Sequence, residues 1–225
     1  MKKFIIICSL ILALASTILF IPACKEDESL IDNVSQLKEN IYEGENEQYQ
    51  IRAFYGFNEH PEARDGKINE KVYKLTFKLI GKETESIKRS LSFTFDGKVY
   101  TLDFSFNPVK NSIMTSVEIE DFNLNEFDVE IISSNDRQTI KMASILPENT
   151  ITYEKALIFL EKNQPSLINS FKDENGVFQG EIHLRVIVKD SKPYWYVGLV
   201  SMDKNLKALL IDGFSGEVLA IREVL

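Results

Sequence analysis

The feature that most constrains this chain is the strict alternation of apolar and polar residues in LSFTFDGKVYTLDFSF, residues 91–106. Successive side chains of a β-strand point to opposite faces, so alternation of this kind predicts strands with one buried face. In the middle of the segment, Asp96-Gly97 is a pair that readily adopts the positive φ angles of a type I′ turn. The segment therefore predicts a β-hairpin, and such a hairpin needs further strands to cover its apolar face.

The same alternation recurs on both sides of the hairpin. It predicts strands over residues 49–57, 73–79, 113–119, 127–132 and 139–145. About seven short strands separated by turns are typical of an antiparallel β-sandwich of immunoglobulin-like type. The Cys…Trp…Cys pattern of true immunoglobulin domains is absent, so the prediction concerns the architecture of residues 49–146 and not membership of that family.

A different pattern begins after residue 146. In TYEKALIFLEKNQP, residues 152–165, apolar side chains recur three and four apart, Thr152 can cap a helix and Pro165 can end it. Four alternating segments follow, at residues 181–188, 194–200, 207–212 and 217–222. Residues 147–225 are therefore expected to form a small α+β domain, a helix packed on a four-stranded antiparallel sheet, in a chain that is otherwise mainly β.

Two pieces of this second part resemble a PepSY-type domain, a small module of exported bacterial proteins. One is ITYEKALIFLEKN, similar to the opening helix of the family, and the other is YWYVGLVSMDKNLKALLIDGFSGEVLAI, similar to its closing hairpins. The resemblance implies a PepSY-like α+β fold and a protein that restrains peptidases or binds peptides in the cell envelope. It carries no catalytic residues over to this chain.

The first residues are typical of a secretory signal peptide. Lys2 and Lys3 precede an unbroken run of apolar and small residues, 4–21, which is also long enough to span a bilayer. The run ends in Ile21-Pro22-Ala23-Cys24, which resembles the lipobox of bacterial lipoproteins, although Pro22 departs from the usual small residue. The resemblance implies removal of residues 1–23 and a lipid on Cys24, where two acyl chains would hold the protein on a membrane.

An uncleaved signal anchor remains the alternative. Both interpretations place everything after Cys24 outside the cytoplasm, because the lysines stay on the cytoplasmic side. Residues 24–48 are then expected to form a lipidated tether followed by an amphipathic helix. The helix is predicted from the spacing of Leu30, Val34, Leu37 and Ile41, which lie three or four apart.

The net charge restricts the kinds of partner that the chain can bind, and the cysteine content restricts how its fold can be stabilised. The net charge is −8, which disfavours nucleic acid and anionic lipid headgroups, so membrane attachment would come from the lipid. The only two cysteines are Cys8 in the apolar run and Cys24, so the exported part has no disulfide to stabilise it.

The sequence predicts no catalytic residue, no cofactor and no metal site. The residues GFSG, 213–216, followed by Glu217, fall short of the G-x-S-x-G motif. His60 lies in NEHPEARDG, whose carboxylates could chelate a cation weakly, but a solvated loop is the favoured interpretation.

One face of the second sheet is the candidate binding surface. Alternation places His183, Arg185, Tyr194 and Tyr196 on the side away from the helix. Tyrosine and arginine supply contact area and hydrogen bonds at recognition surfaces, although packing on the first domain or plain solvation would also explain them.

The sequence thus favours a non-catalytic lipoprotein of the cell envelope that binds a protein or peptide partner, as a modulator of a peptidase would. A cell-envelope hydrolase and a carrier of a small apolar ligand are the alternatives. The sequence does not identify the partner.

Overall fold

The structure, a computed structural model, describes residues 29–61, 68–80, 88–134, 136–203 and 205–224 of the 225. Cys24, the preceding signal segment and the acidic residues Glu62 and Asp65 near His60 lie outside the described residues. The predictions for the lipobox and for the weak cation site therefore stay predictions.

The described chain is mainly β, with few helices. A 3-10 helix over Leu30–Asn33 precedes ten strands: β1 Val34–Lys38, β2 Asn40–Glu45, β3 Gln50–His60, β4 Glu70–Ile80, β5 Ser90–Phe95, β6 Lys98–Asp103, β7 Ser105–Asn107, β8 Ser112–Glu118, β9 Glu126–Ile132 and β10 Arg137–Ser144. Two helices and four strands follow: α1 Tyr153–Asn163, α2 Pro165–Asn169, β11 Gly180–Lys189, β12 Lys192–Ser201, β13 Leu206–Asp212 and β14 Val218–Val224.

The predicted hairpin is confirmed. β5 and β6 pair antiparallel, and Asp96 and Gly97 between them have φ angles of 48° and 72°. Both angles are positive, as a type I′ turn requires.

The paired strands of the first part form a closed ring. The order runs β8-β4-β3-β2-β10-β9-β5-β6, and β6 continues after the single residue Phe104 into β7, which pairs with β8. The described strands thus form one sheet of fourteen, where a sandwich would have two separate sheets, so the immunoglobulin-like sandwich is not confirmed.

The aromatic side chains of the first part fill the interior of this closed arrangement. Phe122 and Phe127 cross edge to face with their ring centroids 5.1 Å apart, and Tyr42 meets both rings. Together with Phe77 and Phe93 they form the centre of one hydrophobic cluster. Because rings fill the middle, this part is a packed core.

The helix and the four-stranded meander of the second part are confirmed as elements. Thr152 Oγ1 accepts a hydrogen bond from the Lys155 amide at the start of α1, and β11 to β14 pair antiparallel in chain order. Helix α1 ends at Asn163, and Pro165 takes the first turn of α2, where its missing N–H costs nothing. Ala156, Leu157 and Leu160 of α1 are buried in a second hydrophobic cluster with the inner face of the meander.

The predicted amphipathic helix over residues 30–41 is wrong. Only the 3-10 turn is helical, and β1 and β2 follow it. The apolar spacing was misleading because the register of β1 shifts between Val34 and Gln36, a β-bulge that adds one residue. The bulge brings Val34 and Leu37, three residues apart, to the same buried side, which imitates a helical stripe.

Strand β1 connects the two parts of the molecule. It pairs parallel with β11 and, at Gln36 and Asn58, antiparallel with β3. Its side chains Val34 and Leu37 are buried in the second cluster, beside α1 and the meander. A segment expected to belong to an amphipathic helix is therefore a fifth strand beside the four-stranded meander.

Candidate functional site

The predicted face is the side of the β11–β14 meander opposite α1. His183 and Arg185 of β11 alternate with buried Ile182 and Leu184, which belong to the second cluster. On β12, Tyr196 alternates with buried Trp195, whose Nε1 donates to the Ile151 carbonyl 2.9 Å away. The pleat therefore directs the polar side chains away from the helix, as the sequence predicted.

Arg185 and Tyr196 form the centre of this face. They are directly opposite each other in the β11–β12 register, and the guanidinium carbon lies 4.4 Å from the ring centroid. At this distance the cation stacks on the ring, which holds the arginine in place and leaves its N–H edges free to donate in the guanidinium plane.

Strand β1 adds two residues that sequence reasoning missed. Gln36 is in register with His183, and Lys38 is in register with Arg185. These four residues, together with Tyr196 and Leu184, line a cavity of about 210 Å³. We call this cavity the β1–β11 pocket. Tyr194 lies on the same face, opposite Ile187, but does not line the pocket.

The β1–β11 pocket is positively charged. Burial lowers the pKa of Lys38 from its ordinary 10.5, and repulsion from Lys110 and Arg185 lowers that pKa further. The Lys38 ammonium lies 5.0 Å from the Phe54 ring centroid, an aromatic contact in place of a carboxylate. Cations are thus gathered in one place on a chain whose net charge is −8.

A buried carboxylate lies beside His183, next to the pocket. Ser35 Oγ, at the bulge of β1, donates to Glu181 Oε2 across 3.2 Å, and His183 Nε2 lies 3.5 Å from the same oxygen. Glu181 is 3% exposed, and its Oε1 has no hydrogen-bond partner among the described residues. Glu181 itself does not line the pocket. Its carboxylate is therefore turned toward β1 and His183.

A larger cleft of about 570 Å³ lies between the two parts, near the start of α1. Carboxylates line it, among them Glu39 and Glu154, together with Tyr153. Burial raises the pKa of Glu39 above its ordinary value, and the negative charge of Glu154 raises it further. Burial also raises the pKa of the Tyr153 hydroxyl, again with a contribution from Glu154.

Sequence reasoning therefore placed four residues on one face, and the structure gathers three of them, His183, Arg185 and Tyr196, around the β1–β11 pocket. Gln36 and Lys38 were missed because their segment was assigned to a helix. The alternation of Ser35 and Leu37 with Gln36 and Lys38 was the available signal, but it covers too few residues to outweigh the helical spacing.

The described residues contain neither a metal-binding cluster nor a membrane-spanning helix. Within the described ranges no three His, Cys, Asp or Glu side chains are grouped so that they could hold a metal ion. Among the helices of that same part of the chain, none is long and apolar enough to cross a bilayer.

No family model, no curated protein and no solved structure matches this chain at a significant level.

Proposed function

We propose that the protein is a membrane-anchored extracytoplasmic lipoprotein whose folded part is a non-catalytic module that binds a protein or peptide. The basic start, the apolar run and the lipobox-like residues before Cys24 support the anchor. Residues 29–224 then lie outside the cytoplasm, close to the membrane surface.

The second part of the chain is, in this proposal, a PepSY-like module. Two observations support it: the resemblance of the α1 and β12–β14 segments, and the packing of α1 on a four-stranded meander. The parallel strand β1 is an addition to that pattern. The resemblance points to a peptide or a peptidase as the partner.

The observation that carries the proposal is the stacked pair Arg185–Tyr196 on an open sheet face, beside Lys38 from another strand. Tyrosine and arginine are the residues that contribute most at protein interfaces, because they combine apolar area with hydrogen-bond donors. A sheet face of this composition suits a partner chain better than a buried small molecule.

The anchor is tested by metabolic labelling with a palmitate analogue. The unmodified chain should be labelled, and Cys24→Ala should not, because the thiol that carries the lipid is gone. Labelling that survives the substitution would reject the lipobox and leave the uncleaved anchor.

The binding face is tested by affinity capture from membranes. Tyr196→Ala should reduce the captured partner several-fold, since the variant loses the ring on which Arg185 stacks. Ile221→Ala is the matched control: this residue is 46% exposed on the other face of the same sheet, and its loss should change nothing. Equal capture by both variants would reject the face.

A second candidate function, a cell-envelope hydrolase, is favoured by one observation. Glu39 lies in the larger cleft with its pKa raised, as a general acid requires, and Glu154 is close enough to act on it electrostatically. If that function holds, purified chain should release fragments from cell-wall material, and Glu39→Gln should abolish the release. Release that is unchanged in Glu39→Gln would exclude this carboxyl as the acid.

A further inference from the structure

Among the described residues, no carboxylate forms an ion pair with the cations of the β1–β11 pocket. Elsewhere in the described chain, basic side chains meet acidic ones, such as Arg137 with Glu130 at 3.0 Å and Lys141 with Glu126 at 2.6 Å. None of the ion pairs among the described residues includes Lys38 or Arg185. Each of these two has an aromatic ring as its neighbour instead.

This arrangement costs stability. Two like charges repel across the pocket, and one of them is partly removed from water, which the lowered pKa of Lys38 reflects. Lys71 provides a comparison within the described chain. Its ammonium lies 4.9 Å from the Phe57 ring centroid, and burial lowers its pKa as well, but the charge that acts on Lys71 is the Asp32 carboxylate, which raises that pKa. The charges that act on Lys38 are both cations.

We propose that the β1–β11 pocket binds the carboxylate of a peptide, either its C-terminus or an acidic side chain. The proposal deepens the binding function proposed above and rests on it. The Arg185 edge and the Lys38 ammonium supply charged donors, and the Gln36 amide supplies a neutral one. A cavity of about 210 Å³ has room for one such group and little more, so the rest of the peptide lies across the sheet face.

The buried Glu181 carboxylate does not pair with either cation of the pocket. Glu181 is engaged by Ser35 and lies beside His183, outside the pocket lining. An incoming carboxylate therefore meets Lys38, Arg185 and Gln36 first. Its charge offsets the repulsion between the two cations, which is the free-energy source of binding.

The test is a titration of the full chain, in a non-ionic detergent, with N-acetylglycine as the carboxylate probe and N-acetylglycinamide as its neutral twin. Side-chain NMR signals of Lys38 and Arg185 should shift saturably at millimolar N-acetylglycine and stay in place with the amide. The bound carboxylate should also return the Lys38 pKa toward its ordinary value. Equal shifts with both probes, or no shift with either, would overturn the proposal.

Two further probes separate the sources of the anion. N-acetylglutamate N-methylamide, with its α-carboxyl blocked as the second amide, offers only a side-chain carboxylate, and N-acetylglycine offers only a terminal one. The probe that binds at least five-fold more tightly shows whether the pocket prefers a side-chain or a terminal carboxylate. Binding of inorganic phosphate without binding of either carboxylate would overturn the assignment to a peptide carboxylate.

Two variants distinguish a loss of carboxylate binding from a loss of folding. Lys38→Met preserves the length of the side chain over Phe54 and should abolish the shift of Arg185 by N-acetylglycine while raising the midpoint of thermal unfolding. Lys71→Met is the matched control: it should leave probe binding unchanged and raise the midpoint less than Lys38→Met does, because the Asp32 carboxylate partly offsets the burial of Lys71. A lower midpoint in Lys38→Met, together with intact probe binding, would show a structural lysine and overturn the proposal.

The two proposals fail separately. If Lys38→Met loses carboxylate binding but captures the membrane partner as well as the unmodified chain, the pocket chemistry stands and its link to the partner is wrong. If no partner is captured by any form while N-acetylglycine still binds, only the proposed binding function is rejected.

Discussion

Glu39 shows, at the scale of one residue, how the larger cleft affects stability. Its carboxyl holds a proton more tightly in the folded chain than in the unfolded one, because burial and the Glu154 charge both disfavour the anion. The folded state therefore binds more protons, and stability falls as the pH rises above the ordinary carboxyl pKa of 4.5 until the raised folded pKa is passed.

We predict that Glu39→Gln stabilises the chain at pH 7 by up to about 1 kcal/mol, a bound that allows for solvent screening of a half-buried group. Below pH 4.5, where the wild-type carboxyl is protonated in both states, the gain should disappear. Urea unfolding midpoints at the two pH values measure both effects. A gain of equal size at both would show that charge is not the cause.

Glu126 provides the control for this prediction. It lines the same cleft, but its carboxylate lies 2.6 Å from the Lys141 ammonium and both side chains are more than half exposed. Solvent screens such a pair, so Glu126→Gln should give no measurable gain at either pH.

At the scale of elements, the close approach of β1 and β3 depends on Gly56. A methyl group on Gly56 would lie 2.1 Å from the Leu37 carbonyl oxygen and 2.9 Å from Lys38 Cα, both of them backbone atoms. Backbone cannot rotate away as a side chain can, so the two strands would have to separate. The same movement would displace Lys38 from the β1–β11 pocket.

Gly56→Ala is therefore expected to destabilise the chain by about 1–3 kcal/mol, the usual cost of overpacking, and to weaken carboxylate binding. Gly198→Ala is the control on β12, where the nearest atom to the new methyl is the movable Leu206 Cδ1 at 3.2 Å. That change should stay within about 0.5 kcal/mol of the wild type. Similar losses in both variants would mean that the β1–β3 contact is not special.

At the scale of the whole molecule, two hydrophobic clusters are joined through β1. The second cluster takes Leu30, Val34, Leu37 and Ile41 from the beginning of the described chain and Phe57 from β3, although its other buried residues follow residue 150. A cut at the predicted domain boundary, before residue 147, would remove these side chains and uncover the edge of β11.

We predict that residues 147–225 alone do not fold stably. Each buried aliphatic side chain contributes about 1.5–3 kcal/mol, so the loss of four approaches the whole stability of a domain. A peptide of residues 29–46, added in trans, should restore the near-ultraviolet circular dichroism of Trp195. A fragment that unfolds cooperatively at the midpoint of the full chain, without the peptide, would contradict this.

The sequence by itself determined the features that depend on neighbouring residues. Period-two alternation predicted eleven of the strands, because each strand covers only one face of a core. Asp96-Gly97 predicted its own turn, and Thr152 its own helix cap, since both interactions are complete within four residues. The orientation of His183, Arg185 and Tyr196 followed from the same alternation.

Only the tertiary structure decided what depends on distant partners. Residues 30–41 have a spacing compatible with a helix, and the free β11 edge together with the bulge at Ser35 made them strands. The closure of the first part likewise depends on the interruption at Phe104, between β6 and β7. The alternating pattern runs through this residue and does not predict the interruption. Lys38 lies beside Arg185 because β1 pairs with β11. Strand pairing between segments almost 150 residues apart is selected by the fit of the whole core, which a local pattern cannot encode.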